Sequence, residues 1–167
     1  RQRQMCIRDR TCVLFGDGAG SMILSADKKK NGILSTKIYS DGEWIDSLYA
    51  DGGPSLNQRV GKIRMKGQDI FKQAVTKLSQ ATENALKECN LNKEDINWFV
   101  PHQANQRIIL STAKKLGIDE KKTISTVENH ANTSAASIPL AISSSVNSGK
   151  IKKNDILALC AIGGGLT

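Results

Sequence analysis

The clearest period along the chain is helical. In residues 67–89 the apolar positions Ile70, Phe71, Ala74, Val75, Leu78, Ala81, Ala85, Leu86 and Cys89 recur at three- and four-residue spacing and share one face, which predicts an amphipathic helix. Residues 103–116 repeat the pattern and end at Gly117, which predicts a second helix with a glycine stop. Between them, residues 96–100 form a short, nearly continuous apolar run, as expected of a buried strand, with Pro101 expected to stop it. Residues 123–127 and 156–162 read as two further strands. A third helix is expected from a cap at Asn132 or Thr133 to about Ser148, with Gly149 after it. Pro139 lies inside it and is expected to kink it or remove one backbone bond.

The first forty residues change period. Residues 11–15 are apolar, 19–26 and 33–39 alternate, and all three read as strands, with a solvated lysine-rich turn at 27–31. Gly16-Asp17-Gly18-Ala19-Gly20 joins the first two. A phosphate cradle would need a helix to follow, and a strand follows, so a structural turn is the favoured reading. Residues 41–61 carry no period and are rich in Gly, Asp, Ser and Asn, which predicts a long functional or mobile loop. Trp44 and Tyr49 within it either cover a ligand channel or anchor the loop. The order β-β-β-α-β-α-β-α-β indicates a mixed α/β layer structure.

Composition narrows this picture. The 167 residues are enough for one domain with a core, and 4% aromatic content leaves the core to small aliphatic side chains. No apolar run approaches the roughly 20 residues of a membrane span, and no apolar stretch near the start suggests a signal peptide. The cysteines, Cys6, Cys12, Cys89 and Cys160, lack paired or metal-type spacing, and the three beyond the first ten residues sit in apolar or amphipathic segments and read as reduced core residues of a cytoplasmic protein. Residues 1–10 hold four arginines and one aspartate, net +3, which leaves +5 of the total +8 for the remainder. This leader has no period; it reads as non-native sequence or as a disordered basic arm, and residues 11–167 as the domain. The remaining charge favours an acidic partner. A nucleic acid is disfavoured, because no aromatic-interleaved basic patch or binding motif is present.

The candidate chemistry sits at the strand ends. Three successive strands lead into His102, into Asn132 and into Gly163-Gly164-Gly165, and open α/β sheets bind ligands at such carboxyl ends. A lone histidine there is more often structural, and a lone asparagine is often only a helix cap. Together, a neutral histidine Nε2–H and an asparagine amide N–H supply two donors that could stabilise an enolate or oxyanion on one carbonyl oxygen. The triglycine allows close backbone approach to a substrate. His130 reads as a packing residue.

The strings Leu14-Phe15-Gly16-Asp17-Gly18-Ala19-Gly20, Val100-Pro101-His102-Gln103-Ala104-Asn105, Asn132-Thr133-Ser134-Ala135-Ala136-Ser137 and Gly163-Gly164-Gly165 resemble the C-terminal half of β-ketoacyl-acyl-carrier-protein synthase III, in that family's order and spacing. The resemblance spans residues 11–167. It implies the C-terminal half of a thiolase-like, layered αβαβα fold with a mixed central sheet, usually in a homodimer. It implies decarboxylative Claisen condensation of acyl-CoA, such as acetyl-CoA, with malonyl-acyl-carrier protein, starting fatty-acid biosynthesis with acyl-CoA as a substrate and no permanent cofactor or metal. His102 and Asn132 would hold the malonyl thioester carbonyl, completing a Cys-His-Asn site with a cysteine from the other half. Gly164 would lie in the acyl and oxyanion region. Gly67, Phe71, Ala104 and Asn105 would line the CoA pantetheine tunnel. Arg107, Lys114 and Lys115 would face the acidic carrier protein, although an ordinary solvated helix face explains those lysines as well.

Three departures accompany the resemblance. No cysteine stands at a strand-to-helix elbow, where a helix N-terminus would activate it, so residues 1–167 alone are expected not to turn over. The sequence stops just after the triglycine, one strand short of the family pattern. Ile162 stands where many members have an aromatic residue. Rival readings are another Cys-His-Asn enzyme of the same fold that makes quinolones or polyketides, a non-catalytic half that binds carrier protein, and a nucleic-acid-binding module.

Overall fold

The computed structural model describes residues 13–26 and 32–167. At its centre, β3 (Trp98–Pro101) pairs in parallel with β4 (Leu157–Cys160), with Trp98 opposite Leu157 and Pro101 opposite Cys160. On its other edge β3 meets Thr123 in a parallel bridge, where Ile124 N–H donates to Phe99 O at 2.8 Å. Flanked on both edges, β3 buries Phe99 and Val100 completely, as its unbroken apolar run predicts. Pro101 ends the strand from inside rather than stopping it short. Trp98 and His102 donate to Ile156 O and Cys160 O, at 3.2 and 2.7 Å. Even-numbered residues therefore carry that ladder, and the donor Pro101 lacks is not needed there.

Side-chain alternation along β3 builds a layer on each face. Phe99 joins Ala74, Leu78, Ile108, Ala113, Leu116 and Cys160 in one core, and Val100 joins Ile124, Ala141 and Ile151 in a second. The first core is roofed by α1 (Gly67–Glu88) and α2 (Gln106–Leu116). The second packs beneath α4 (Ser137–Asn147), which follows the one-turn helix α3 (Val127–His130). Among the described residues no helix is long and apolar enough to cross a membrane.

The helix ends follow from local chemistry. After α1, Asn90 adopts the left-handed region (φ 54°), and Leu91 N–H reaches back to Leu86 O at 3.0 Å. Asn105 caps α2, its side chain accepting from Ile108 N–H at 2.9 Å, so this helix starts at Gln106 rather than at residue 103. Gly117 closes it at φ 68°. Pro139 neither kinks α4 nor costs it a bond, because it is the third residue, where an N–H has no acceptor within the helix.

Five expectations need correction. Residues 19–26 and 33–39 form no assigned strand, and residues 13–15 form only a bridge from Phe15 to Asn132. A strand needs a laddered neighbour, and the alternating apolar side chains here meet none among the described residues; Ile23 is 96% exposed and Ile38 87%. Thr11, Cys12, the lysine-rich turn and the arginine-rich leader fall outside the described residues. Residues 123–127 make one bridge instead of a strand, because the Gln103 side chain takes the place of a neighbouring backbone. Residues 41–61 are not a bare loop. They hold a 3-10 helix, Gly42–Ser47, and β1 (Leu48–Ala50), which pairs antiparallel with β2 (Ile63–Met65). Asp51 pins that hairpin, accepting from Lys62 N–H and from Arg64 Nε, each at 2.6 Å. Those bonds hold its carboxyl below the usual range.

Candidate active site

His102 stands one residue beyond β3, fixed by its backbone bond to Cys160 O. Its ring is half-buried, and Nδ1 lies 2.6 Å from Ser137 Oγ at the start of α4. Burial lowers the imidazole pKa, because removing water penalises the cation. The neutral ring is therefore the resting form near neutral pH.

The next residue secures the surroundings. Gln103 has no exposed surface, and its amide satisfies three backbone groups from two segments. Nε2 donates to Pro101 O at 2.7 Å and to Ile124 O at 3.2 Å, while Oε1 accepts from Thr126 N–H at 2.8 Å. Its own N–H donates to Ser137 Oγ at 3.3 Å. One buried side chain thus ties the end of β3 to the approach to α3, and its backbone reaches α4.

Asn132 lies between α3 and α4 in a stretch of unusual backbone. Ala131 sits at φ 55°, ψ −160°, and Ser134 at φ 53°. Non-glycine residues rarely adopt either, and such strain survives only where the surroundings impose it. Here Phe15 does so. Asn132 N–H donates to Leu14 O at 2.9 Å, and Gly16 N–H donates to Asn132 O at 3.0 Å. Gly16 is required at this contact, since a Cβ would stand 2.4 Å from His130 O. The glycine turn is thus a packing element against the Asn132 segment. Asn132 Oδ1 accepts from Ser134 N–H at 2.9 Å, which orients the amide and leaves its Nδ2 donors to point elsewhere. His130 is half-buried, and its Nδ1 is buried without a hydrogen-bond partner among the described residues.

The other sequence candidates form two groups. Gly67 opens α1, and Phe71 lies one turn on, with the Arg107 guanidinium 5.2 Å above its ring centre. Phe71 and Ala104 pack against the same core, and Asn105 caps the helix bearing Arg107. Gly67, Phe71, Ala104, Asn105 and Arg107 thus gather where the first turns of α1 and α2 lie side by side. Lys114 and Lys115 occupy the last turn of α2, where cations favour the helix dipole, and Lys115 Nζ is 3.2 Å from Thr76 Oγ1. Gly164 stands apart, in the 3-10 turn Gly164–Leu166, where a Cβ would lie 3.1 Å from Leu48 O. Trp44 is half-buried and Tyr49 exposed. A cavity within the hairpin loop is lined by Gly53, Pro54, Arg59 and Gly61 and includes neither His102 nor Asn132.

Neither described cysteine suits nucleophilic work. Cys89 caps the C-terminus of α1 and so stands at no strand-to-helix elbow. Cys160 is buried in β4, and desolvation pushes its pKa up to about 12. Cys6 and Cys12 lie outside the described residues.

Sequence reading singled out His102 and Asn132 by residue type, by joint placement and by the family resemblance. It missed Ser137, Gln103 and Ser134, which hold them, because those contacts link segments up to 35 residues apart or depend on a backbone turn.

Comparisons with known proteins add a consistent picture. Residues 86–167 match a family model described as the C terminal of 3-oxoacyl-[acyl-carrier-protein (ACP)] synthase III, and residues 6–42 match one described as 3-oxoacyl-[acyl-carrier-protein (ACP)] synthase III. The chain is 52% identical over 158 residues to a beta-ketoacyl-[acyl-carrier-protein] synthase III of Rhizorhabdus wittichii, covering 94% of this chain and 50% of that protein. It is 53% identical over 161 residues to the same-named protein of Rhodospirillum centenum, with the same coverage. Among solved structures, the 3-oxoacyl-[acyl-carrier-protein] synthase III of Aquifex aeolicus superposes with a TM-score of 0.87 at 41% identity, covering 95% of this chain and 49% of that one. The chain spans about half the length of the curated relatives it matches.

Proposed function

Because the chain belongs to the 3-oxoacyl-[acyl-carrier-protein] synthase III family, with the thiolase-like α/β fold of its C-terminal half, we propose that it carries the decarboxylation half of that condensing site. His102 and Asn132 are its two oxyanion donors. The observation that supports this most is complementary blocking of acceptors. Ser134 N–H occupies Asn132 Oδ1, and Ser137 Oγ lies 2.6 Å from His102 Nδ1, which it blocks as an acceptor when the hydroxyl donates. What each side chain has left to offer is an N–H, at Nε2 and at Nδ2.

The chemistry follows from those donors. A malonyl thioester loses carbon dioxide when the bond between its α-carbon and its carboxylate breaks. The electron pair moves into an enolate, and negative charge develops on the thioester oxygen. Two N–H groups aimed at that oxygen hold it more strongly in the transition state than in the ground state. The enolate carbon then attacks an acyl group held as a cysteine thioester and expels the thiolate. Neither Cys89 nor Cys160 can hold that acyl group, for the reasons above, so the thiol comes from outside the described residues.

The remaining parts of the reading rest on the resemblance. Malonyl-acyl-carrier protein and acyl-CoA are the substrates, and the product starts a fatty acid. Gly67, Phe71, Ala104 and Asn105 line the path of the pantetheine arm, and their grouping at the helix starts supports a single channel. Arg107, Lys114 and Lys115 lie on one helix and present positive charge to an acidic carrier protein. Gly164 borders the acyl region. The whole enzyme is a cytoplasmic homodimer with no resident cofactor.

Conversion of malonyl-CoA to acetyl-CoA, followed by chromatography, tests the central step without needing the cysteine. His102→Ala and Asn132→Ala should each lower the rate about 10²- to 10³-fold, as loss of one oxyanion donor does. Equal rates in all three proteins would overturn the proposal.

A further inference from the structure

We propose that Ser137 is a positioning residue that locks His102 in the tautomer carrying its proton on Nε2. The inference rests on the reading of His102 as a donor, but it concerns a different residue and a different observable.

Ser137 Oγ has two described partners, the Gln103 N–H at 3.3 Å and His102 Nδ1 at 2.6 Å. The first is a backbone donor and cannot reverse its role. The hydroxyl therefore accepts from Gln103 and has its own proton left to place. Ser137 is 2% exposed, so water is not available to take that proton. Its described acceptor is His102 Nδ1. If Nδ1 carried hydrogen instead, the hydroxyl would accept from both Gln103 and His102, and its own proton would be buried without a described partner. Such an orphaned group disfavours the alternative tautomer roughly ten-fold or more. Gln103 supports the arrangement from behind, since its fully buried amide fixes the backbone whose N–H sets the direction. The donor at Nε2 is thus fixed before any substrate arrives, which lowers the cost of aligning it during reaction.

The test is side-chain nitrogen NMR on uniformly 15N-labelled protein. The chain has two histidines, so the long-range proton–nitrogen spectrum holds two ring patterns, and His130→Gln assigns them. In the wild type His102 should show a bare, pyridine-type Nδ1 and a protonated Nε2. Protonated Nδ1 in the wild type overturns the proposal without any Ser137 variant. Ser137→Ala should give a mixture of tautomers with an otherwise unchanged backbone spectrum, and Ser137→Thr should restore the single one. An unchanged single tautomer in Ser137→Ala also overturns it.

Malonyl-CoA decarboxylation separates this from the functional reading. Ser137→Ala should lower kcat about ten-fold with KM little changed, whereas a merely structural serine would leave the tautomer alone. If no variant alters decarboxylation yet the tautomer shifts as stated, the functional reading fails and the role of Ser137 stands. If His102→Ala abolishes turnover but Ser137→Ala changes neither tautomer nor rate, the reverse holds.

Discussion

Replacing Gln103 with methionine should be among the most damaging single changes in this chain. The substitution keeps side-chain volume and removes only the amide. Three backbone groups then lose partners: Pro101 O, Ile124 O and Thr126 N–H, held at 2.7, 3.2 and 2.8 Å. The position has no exposed surface, so water cannot replace them. A buried polar group left unmet costs about 1–3 kcal/mol, so losing three partners should cost at least about 3 kcal/mol. That is a large share of the roughly 5–15 kcal/mol by which a domain is stable. Urea unfolding followed by far-UV circular dichroism reads the change as a lower midpoint at constant slope. The His102 ring resonances should broaden or move in the same variant, because the Gln103 N–H is anchored at Ser137. A loss below about 1 kcal/mol would refute the clamp and show that the segments are held by packing alone.

Three further outcomes follow from the same geometry. Burial lowers the His102 pKa below its unfolded value of 6.5, so the unfolded state takes up this proton first on acidification. Stability from this group is complete above pH 6.5 and is lost as pH falls through the folded pKa; His102→Gln should flatten that slope in urea unfolding, and an unchanged slope would contradict it. Cys160, with its thiol pushed up to about 12, should resist iodoacetamide at pH 8 while Cys89 reacts, and equal labelling would show that β4 opens readily. Arg107→Ala should weaken binding of an acidic carrier protein in a salt-dependent way, whereas Lys150→Ala, which removes a cation from the Trp98 ring, should not.

The parts of the fold that were legible in the sequence are those whose period is set locally. The bounds of α1 and the end of α2 follow from one apolar face and a terminal stop, and β3 follows from an unbroken apolar run between turns. Pairing is a different matter, because an alternating segment such as residues 33–39 specifies a face and not a neighbour. The hairpin of β1 and β2 escaped notice for the opposite reason: each strand has three residues, and its register depends on Asp51 rather than on a pattern. Pro101 does end β3 as expected, whereas Pro139 was misjudged by position, since the first turn of α4 has no bond for it to break. Within the candidate site, His102 and Asn132 stood out on type and place as strand-end residues, although only His102 follows a strand and Asn132 follows the short helix α3. The serine and glutamine that orient them could not, since a buried glutamine looks like any helix residue until its partners 21 and 23 positions away are known.

The most direct test of the central claim is the carbonyl stretch of acetyl-CoA, 13C-labelled at the thioester carbon, bound to this chain and read by difference infrared spectroscopy. Two N–H donors on one oxygen weaken that bond, so the band should move to lower frequency on binding. It should recover part of the way in His102→Ala and in Asn132→Ala, and fully in the double variant. A bound thioester whose band is the same in wild type and in all three variants would contradict the account.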